Sequence, residues 1–257
     1  MERLDEGARQ QAIADSVERI GRARVADLAR EFAVSTVTIR KDLNALERRG
    51  VLRRVHGAAT RLRASDGSAF PSRVSLCPQE KRDIARRAAQ RVPDGAVIAL
   101  DSSSTVYFLA KELLQRRGLT VVTYSLPTAS LLLDGSTATV HLLGGVLSRS
   151  TRAVMPPADL GAPSVEIEMF FGGAHSASPE LGLGEPDEAE AATKRHLALL
   201  APQRYALLTS DKADETAAHT YLGPDEVTGI FTDPGLPADV VSRWRAAGVR
   251  VDAGRTR

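Results

Sequence analysis

The sequence predicts an α/β protein in two parts: a small, mostly helical N-terminal unit closed by a strand, then a larger domain built round a mostly parallel sheet. Three observations lead there. The first 55 residues carry apolar side chains at helical spacing and end in a short β-rich run. Beyond residue 80, β-rich runs alternate with helical stretches. The charge is also divided unevenly: residues 1–63 hold 14 Lys and Arg against 9 Asp and Glu, and the remainder hold 20 against 23. A formal +2 overall thus resolves into +5 and −3, as expected for a small part that meets a polyanion and a larger part with another task.

Composition removes several alternatives. A chain of 257 residues has ample length for a buried core, and 43% hydrophobic with 26% charged residues excludes a disordered or collagen-like chain. No run approaches the 18 apolar residues of a membrane span. The start, Met1-Glu-Arg-Leu-Asp-Glu, lacks the basic-then-apolar pattern of a secretory signal. Cys77 is the only cysteine, so an internal disulfide and a cysteine-based metal site are both excluded, and a cytoplasmic location is expected. No metal and no cofactor is expected.

Taken in order, residues 8–20 place Ile13, Val17 and Ile20 at helical steps, and Gly21 stops the helix. A second short helix from Arg24 carries Val25, Leu28, Ala29 and Phe32 on one face. A third runs from a Ser35 cap through Ile39, Leu43 and Leu46, spaced i, i+4, i+7, to a stop at Gly50. Residues 51–55 then read as a strand. These are the parts of a winged helix-turn-helix, assigned to residues 1–58.

With the apolar stripe inward, Ser35, Thr36, Thr38, Arg40, Lys41 and Asn44 remain for the outer face and N-terminus of the third helix. Hydroxyls and orphan N–H groups suit phosphate oxygens, and Arg and Asn suit base edges. Such a helix lies in the major groove with its N-terminal half against the bases. Arg53, Arg54 and His56 stand on the loop beside it, placed to grip the DNA backbone or minor groove. An ordinary solvated helix face is the competing account; the polar first turn, the basic wing and the +5 charge together favour DNA.

Residues 59–79 lack a sustained period and read as a linker arm; residues 80–257 form the α/β domain. Strands are expected at 96–100, 119–123, 139–143, 165–171, 205–209, 227–232 and 249–251, with helices at 80–92, 105–117, 126–133, 187–200 and 237–247. Asp101-Ser102-Ser103-Ser104-Thr105 ends a strand and opens a helix, where small hydroxyls and free N–H groups can wrap a phosphate. The same residue types are also plain helix caps. Lys194 and Lys212 could each bind an anion as a point charge or be solvated surface lysines. Gly144-Gly145 follows a strand, as turn punctuation or ligand contact, and His175 is a ligand contact or a structural histidine.

The segment Leu28-Ala-Arg-Glu-Phe-Ala-Val-Ser-Thr-Val-Thr-Ile-Arg-Lys-Asp-Leu-Asn-Ala-Leu-Glu, followed by Arg53-Arg54-Val55-His56-Gly57, resembles the helix-turn-helix of DeoR-type transcriptional regulators. Glu80-Lys81-x-x-Ile84-Ala85, Asp101-Ser-Ser-Ser-Thr105, Val122-Thr-Tyr-Ser125-Leu126, Leu143-Gly-Gly145 and Ser210-Asp-Lys212 fall in the order of that family's sensor domain. The resemblance spans about residues 5–252. It implies a sensor related to ribose-5-phosphate isomerase that binds a phosphorylated sugar or related metabolite through Asp101–Thr105, Ser125, Gly144, Gly145 and Lys212, to which His175 and Lys194 are added as candidate contacts by their own chemistry. It also implies a repressor of carbohydrate-utilisation genes acting on double-stranded operator DNA, and because two-fold operators match two-fold proteins a homodimer or homotetramer is expected.

Four positions depart from the family pattern: Ser103 replaces a Gly, Tyr124 an Asn, and Gly173-Ala-His175-Ser stands for Gly-Ala-Asp-Gly. The same kinship raises a sugar-phosphate isomerase as the alternative. Against it, the isomerases' Asp-Gly-Ala-Asp-Glu stretch matches Gly172-Gly-Ala-His175-Ser, and their catalytic glutamate matches Lys194. No catalytic residue is therefore assigned.

Overall fold

The computed structural model describes residues 5–48, 51–55, 57–61, 69–157, 161, 163–213 and 215–254. The chain divides into two compact units, Met1–Leu76 and Cys77–Arg257.

In the first unit, α1 (Glu6–Ile20) begins at Asp5, whose carboxylate accepts from the Ala8 N–H, and ends at Gly21 with φ +75°. β1 (Arg22–Arg24) leads into α2 (Val25–Glu31) and α3 (Thr36–Arg48). β2 (Leu52–Val55) and β3 (Ala58–Arg61) form a hairpin, and β1 pairs with β3, giving the order β1-β3-β2. Ile13, Val17, Leu28, Ile39, Leu43, Leu46 and Leu52 are all buried in one core. Asp42 is buried with them, accepting from Arg9 Nε at 2.7 Å and Gln10 Nε2 at 3.1 Å, which ties α1 to α3.

Two expectations are corrected here. Ile20 is 53% exposed, because α1 ends at that residue and the chain turns away at Gly21 before the stripe completes another turn. The segment expected as an irregular arm, 59–79, starts inside β3 and contains a further helix, α4 (Phe70–Ser75). Ala58-Ala-Thr-Arg61 has no alternation to mark it as a strand; pairing on both sides, to β1 and β2, makes it one.

The second unit opens with α5 (Pro78–Ala89), β4 (Val97–Leu100), α6 (Ser104–Glu112), β5 (Thr120–Thr123), α7 (Leu126–Gly135) and β6 (Thr139–Leu142). A short hairpin, β7 (Val146–Leu147) with β8 (Val154–Met155), precedes β9 (Met169–Gly172). Then come β10 (Ser176–Ser178), β11 (Gly182–Glu185), α8 (Glu188–Leu199), β12 (Gln203–Leu207), β13 (His219–Leu222), β14 (Gly229–Phe231), α9 (Ala238–Ala246) and β15 (Arg250–Asp252).

Seven of these strands form one sheet in the order β15-β14-β12-β9-β4-β5-β6, every pairing parallel. β10, β11 and β13 form a separate antiparallel sheet. The parallel sheet is an α/β core as expected; the small sheet escaped prediction because Ser-Ala-Ser and Gly-Leu-Gly-Glu carry no β-branched or alternating signal. In chain order the sheet grows from β4 through β5 and β6 to one side, then from β9 to the other. The reversal lies between β4 and β9, where doubly wound sheets open a crevice at the C-terminal ends of their strands. Among the described residues no helix is long and apolar enough to cross a membrane.

Candidate functional site

In the first unit, α3 has two faces. Ile39, Asp42, Leu43 and Leu46 are buried, whereas Thr36, Val37, Arg40, Lys41 and Asn44 are exposed. Both sets follow the 3.6-residue period, so the outer row runs opposite the core stripe. Ser35 Oγ accepts from the Thr38 N–H at 3.0 Å and lies 2.9 Å from Thr38 Oγ1. The Ser35 and Thr38 hydroxyls are therefore committed first to the helix start, a capping role more local than the phosphate contact expected of them. Lys41 Nζ is 3.9 Å from Glu6 Oε1, an exposed pair of small energetic consequence. Arg53 and Arg54 lie on β2, in register with Thr60 and Ala59 of β3, and so on the wing. His56 lies outside the described residues.

In the second unit, the residues at the strand ends converge. Asp101 follows β4 and is wholly buried. One carboxylate oxygen accepts from the Ser103 N–H at 2.8 Å, the other from the Gly173 N–H at 2.7 Å, so Asp101 bridges the ends of β4 and β9 across the sheet's reversal point. Lys194, on α8, reaches the same oxygen with Nζ at 3.0 Å and also donates to the Gly173 carbonyl at 3.0 Å and to Glu185 Oε1 at 2.5 Å. Glu190 Oε1 is 3.9 Å from Lys194 Nζ and accepts from Ser102 Oγ at 3.0 Å. The Tyr221 hydroxyl donates to the Gly173 carbonyl at 2.7 Å. A glycine is required at 173, since a Cβ there would lie 2.5 Å from that of Ser103.

Three carboxylates thus share one buried ammonium. Burial works against the Lys194 charge, but Asp101 and Glu185 outweigh it and hold the ammonium above the ordinary lysine range. Burial pushes the Glu185 carboxyl up to about 7, partly offset by Lys194 and reinforced by Glu190. Lys194, expected as an anion ligand, is buried with its ammonium on Asp101, Glu185 and the Gly173 carbonyl, where it is the counter-charge of this cluster. Tyr124, where the resemblance expects Asn, does not cover an opening: it is fully buried, burial raises its pKa well above the usual phenol value, and its hydroxyl has no hydrogen-bond partner among the described residues.

The other expected contacts separate into two groups. Ser103 Oγ caps α6 by accepting from Val106 N–H, leaving the Ser104 and Thr105 N–H groups as the donors at that helix end. Ser125 caps α7 from full burial. Lys212, in a 3-10 turn after β12, has only its neighbour Asp211, at 3.5 Å, as an ion-pair partner among the described residues. His175 is half-buried; burial and then the Lys212 charge lower its pKa, which keeps it neutral at pH 7. Gly144 and Gly145 are exposed, and a Cβ on Gly145 would sit 2.1 Å from the Met155 carbonyl oxygen. The β7–β8 hairpin begins directly after this glycine pair. Glu185, Glu190 and Tyr221 went unassigned in the sequence because they reside on α8 and the small antiparallel sheet, whose approach to Asp101 leaves no local pattern.

Residues 9–64 match the family model described as the DeoR-like helix-turn-helix domain, and residues 77–234 match that of the DeoR C terminal sensor domain. The L-fucose operon activator of Haemophilus influenzae is 31% identical over 89% of this chain and 92% of its own length. The glycerol-3-phosphate regulon repressor of Escherichia coli is 29% identical over 91% of this chain and 93% of its own. Among solved structures, ribose 5-phosphate isomerase A of Methanocaldococcus jannaschii superposes with a TM-score of 0.40 at 19% identity, covering 53% of this chain and 54% of that one.

Proposed function

Because the chain belongs to the DeoR family of transcriptional regulators, we propose that it represses carbohydrate-utilisation genes, holding operator DNA on α3 and releasing it when a phosphorylated sugar engages the second unit. The observation that carries DNA contact is the exposed row Thr36, Arg40, Lys41, Asn44 opposite a fully buried stripe: these side chains stand outside the core, on the face where phosphates and base edges would be met. A two-fold assembly of the chain, dimer or tetramer, matches the two-fold symmetry of operators. A regulator that reads chromosomal DNA acts in the cytoplasm.

For the effector, the phosphate lies against the Ser104 and Thr105 N–H groups and Lys212, while sugar hydroxyls compete for Glu185, Glu190 and the unpaired Tyr124 hydroxyl. Two relatives are named for a sugar and for a phosphate ester, which supports this ligand class. One of them is named an activator and the other a repressor, so the direction of control differs between relatives. Whatever the ligand, it must bind the DNA-competent and DNA-released arrangements unequally.

Fluorescence anisotropy of the full chain with promoter fragments flanking its own gene tests the DNA contact. Affinity should fall steeply between roughly 50 and 200 mM salt as counterions are released; absence of binding at every salt concentration overturns it. Thermal shift against a panel of sugar phosphates tests the ligand, since a molecule that binds only the folded state raises the melting temperature. Lys212→Ala should lose that shift, and an unchanged shift clears Lys212 of a phosphate role.

One observation favours a second function. A buried carboxylate held near pH 7, as Glu185 is, has the affinity of a proton-transfer base. Lys194 occupies its oxygen at 2.5 Å, which argues for a structural task. Interconversion of aldose and ketose phosphates by the purified chain, abolished in Glu185→Gln, would establish the enzyme instead.

A further inference from the structure

Val37 is 71% exposed and stands in the first turn of α3. Scattered exposed apolar residues are ordinary on a protein surface, but the setting of this one is not. Val37, Arg40, Lys41 and Asn44 recur at i, i+3, i+4 and i+7, so Val37 begins the row whose other members are two cations and an amide. Among the described residues of α3 it is the only exposed apolar side chain; Ile39, Leu43 and Leu46 are all buried. A β-branched residue is a poor choice for a solvated helix face, since it restricts its own rotamers and gains nothing from packing. Among the described residues of the first unit, none buries it there.

Its neighbours indicate what does. Arg, Lys and Asn on one face present donors and acceptors to base edges, and the acidic residues of α3 leave its first turn free. In a major groove only one base carries an apolar group: thymine, through its 5-methyl. We propose that Val37 reads a thymine methyl in each operator half-site, beside the bases met by Arg40 or Asn44. This rests on α3 being the recognition helix, and Val37 then sets sequence preference through the methyl rather than through a hydrogen bond.

The full chain would first be used to select its preferred sequence from randomised duplexes. Each thymine of the selected operator is then replaced singly by uracil, which removes the methyl and leaves the pairing edge intact. One replacement per half-site should weaken wild-type binding about fourfold, the equivalent of one buried methyl. Val37→Ala should bind the thymine operator about as weakly as wild type binds the uracil one, and should be indifferent to the replacement. Val37→Ser serves as a second probe, and an unchanged melting temperature for both variants confirms that they fold. An operator indifferent to uracil at every position overturns the role of Val37, as does a Val37→Ala variant that remains as sensitive as wild type. Selection that enriches no sequence overturns the assignment of α3 itself.

Discussion

On the outer face of α3, Thr36, Arg40, Lys41 and Asn44 stand in solvent, whereas at the C-terminal edge of the parallel sheet Asp101, Glu185 and Lys194 are buried against one another. The first set is held in place by what lies behind it: Ile39, Leu43 and Leu46 fix the helix, and the polar row rides on it. The second set is itself part of the packing. Changing a residue of the first kind should therefore alter binding and spare the fold, while changing one of the second kind should reach stability before it reaches any ligand.

The sharpest way to break this contrast is Lys194→Met. The substitution keeps much of the volume but removes the one ammonium facing Asp101, Glu185 and Glu190. Removing one partner of a buried ion pair costs about 3–5 kcal/mol, because the remaining charge is left uncompensated. Chemical denaturation should show a loss of that order, with a clear drop in melting temperature. A variant as stable as wild type would mean that the cluster is hydrated or rearranges freely, and the contrast between the two regions would collapse.

A second, smaller effect should appear on titration. The Glu185 carboxyl has a pKa of about 7 in the folded chain against an ordinary 4.5. The folded state therefore binds its proton more tightly than the unfolded state does, and the group's contribution is fully present below about pH 4.5 and lost as pH rises through 7. The shift corresponds to about 3 kcal/mol across that window. Glu185→Gln, neutral at every pH, should flatten the wild-type decline between pH 5 and 7.5 when unfolding free energies are compared. An identical pH profile in the two proteins would place the Glu185 proton elsewhere.

The same contrast explains what could be read in the sequence. The recognition face was legible because a helix with one buried stripe announces its other side through local spacing: Ile39, Leu43 and Leu46 leave Arg40, Lys41 and Asn44 by subtraction. Asp101 was legible because it ends a strand and opens a helix, again a local signal. Lys194 was found but its partners were not, since Glu185 and Asp101 are 9 and 93 positions away and only the fold brings them to its Nζ. The strands of the small sheet, which carry Glu185 and Tyr221, have no periodicity at all. The parallel sheet itself was evident because its strands are nearly continuous apolar runs, as burial on both faces requires.

The smallest effect, and the most discriminating, compares two residues of one helix. Arg40 and Asp42 are two positions apart on α3, one exposed and one wholly buried against Arg9 and Gln10. Asp42→Ala should destabilise the first unit by about 1–3 kcal/mol, because it removes the buried acceptor shared by Arg9 Nε and Gln10 Nε2. Arg40→Ala should leave stability within about 0.5 kcal/mol of wild type. Its cost should instead appear in operator binding, as roughly 1–3 kcal/mol with relaxed preference at the base it reads. Measured side by side by denaturation and anisotropy, the pair tests whether function and stability divide between the two faces of α3. If Arg40→Ala binds operator as wild type does, the exposed row is only a solvated surface; if it unfolds the unit, the row is part of the core's support and cannot be a free reading face.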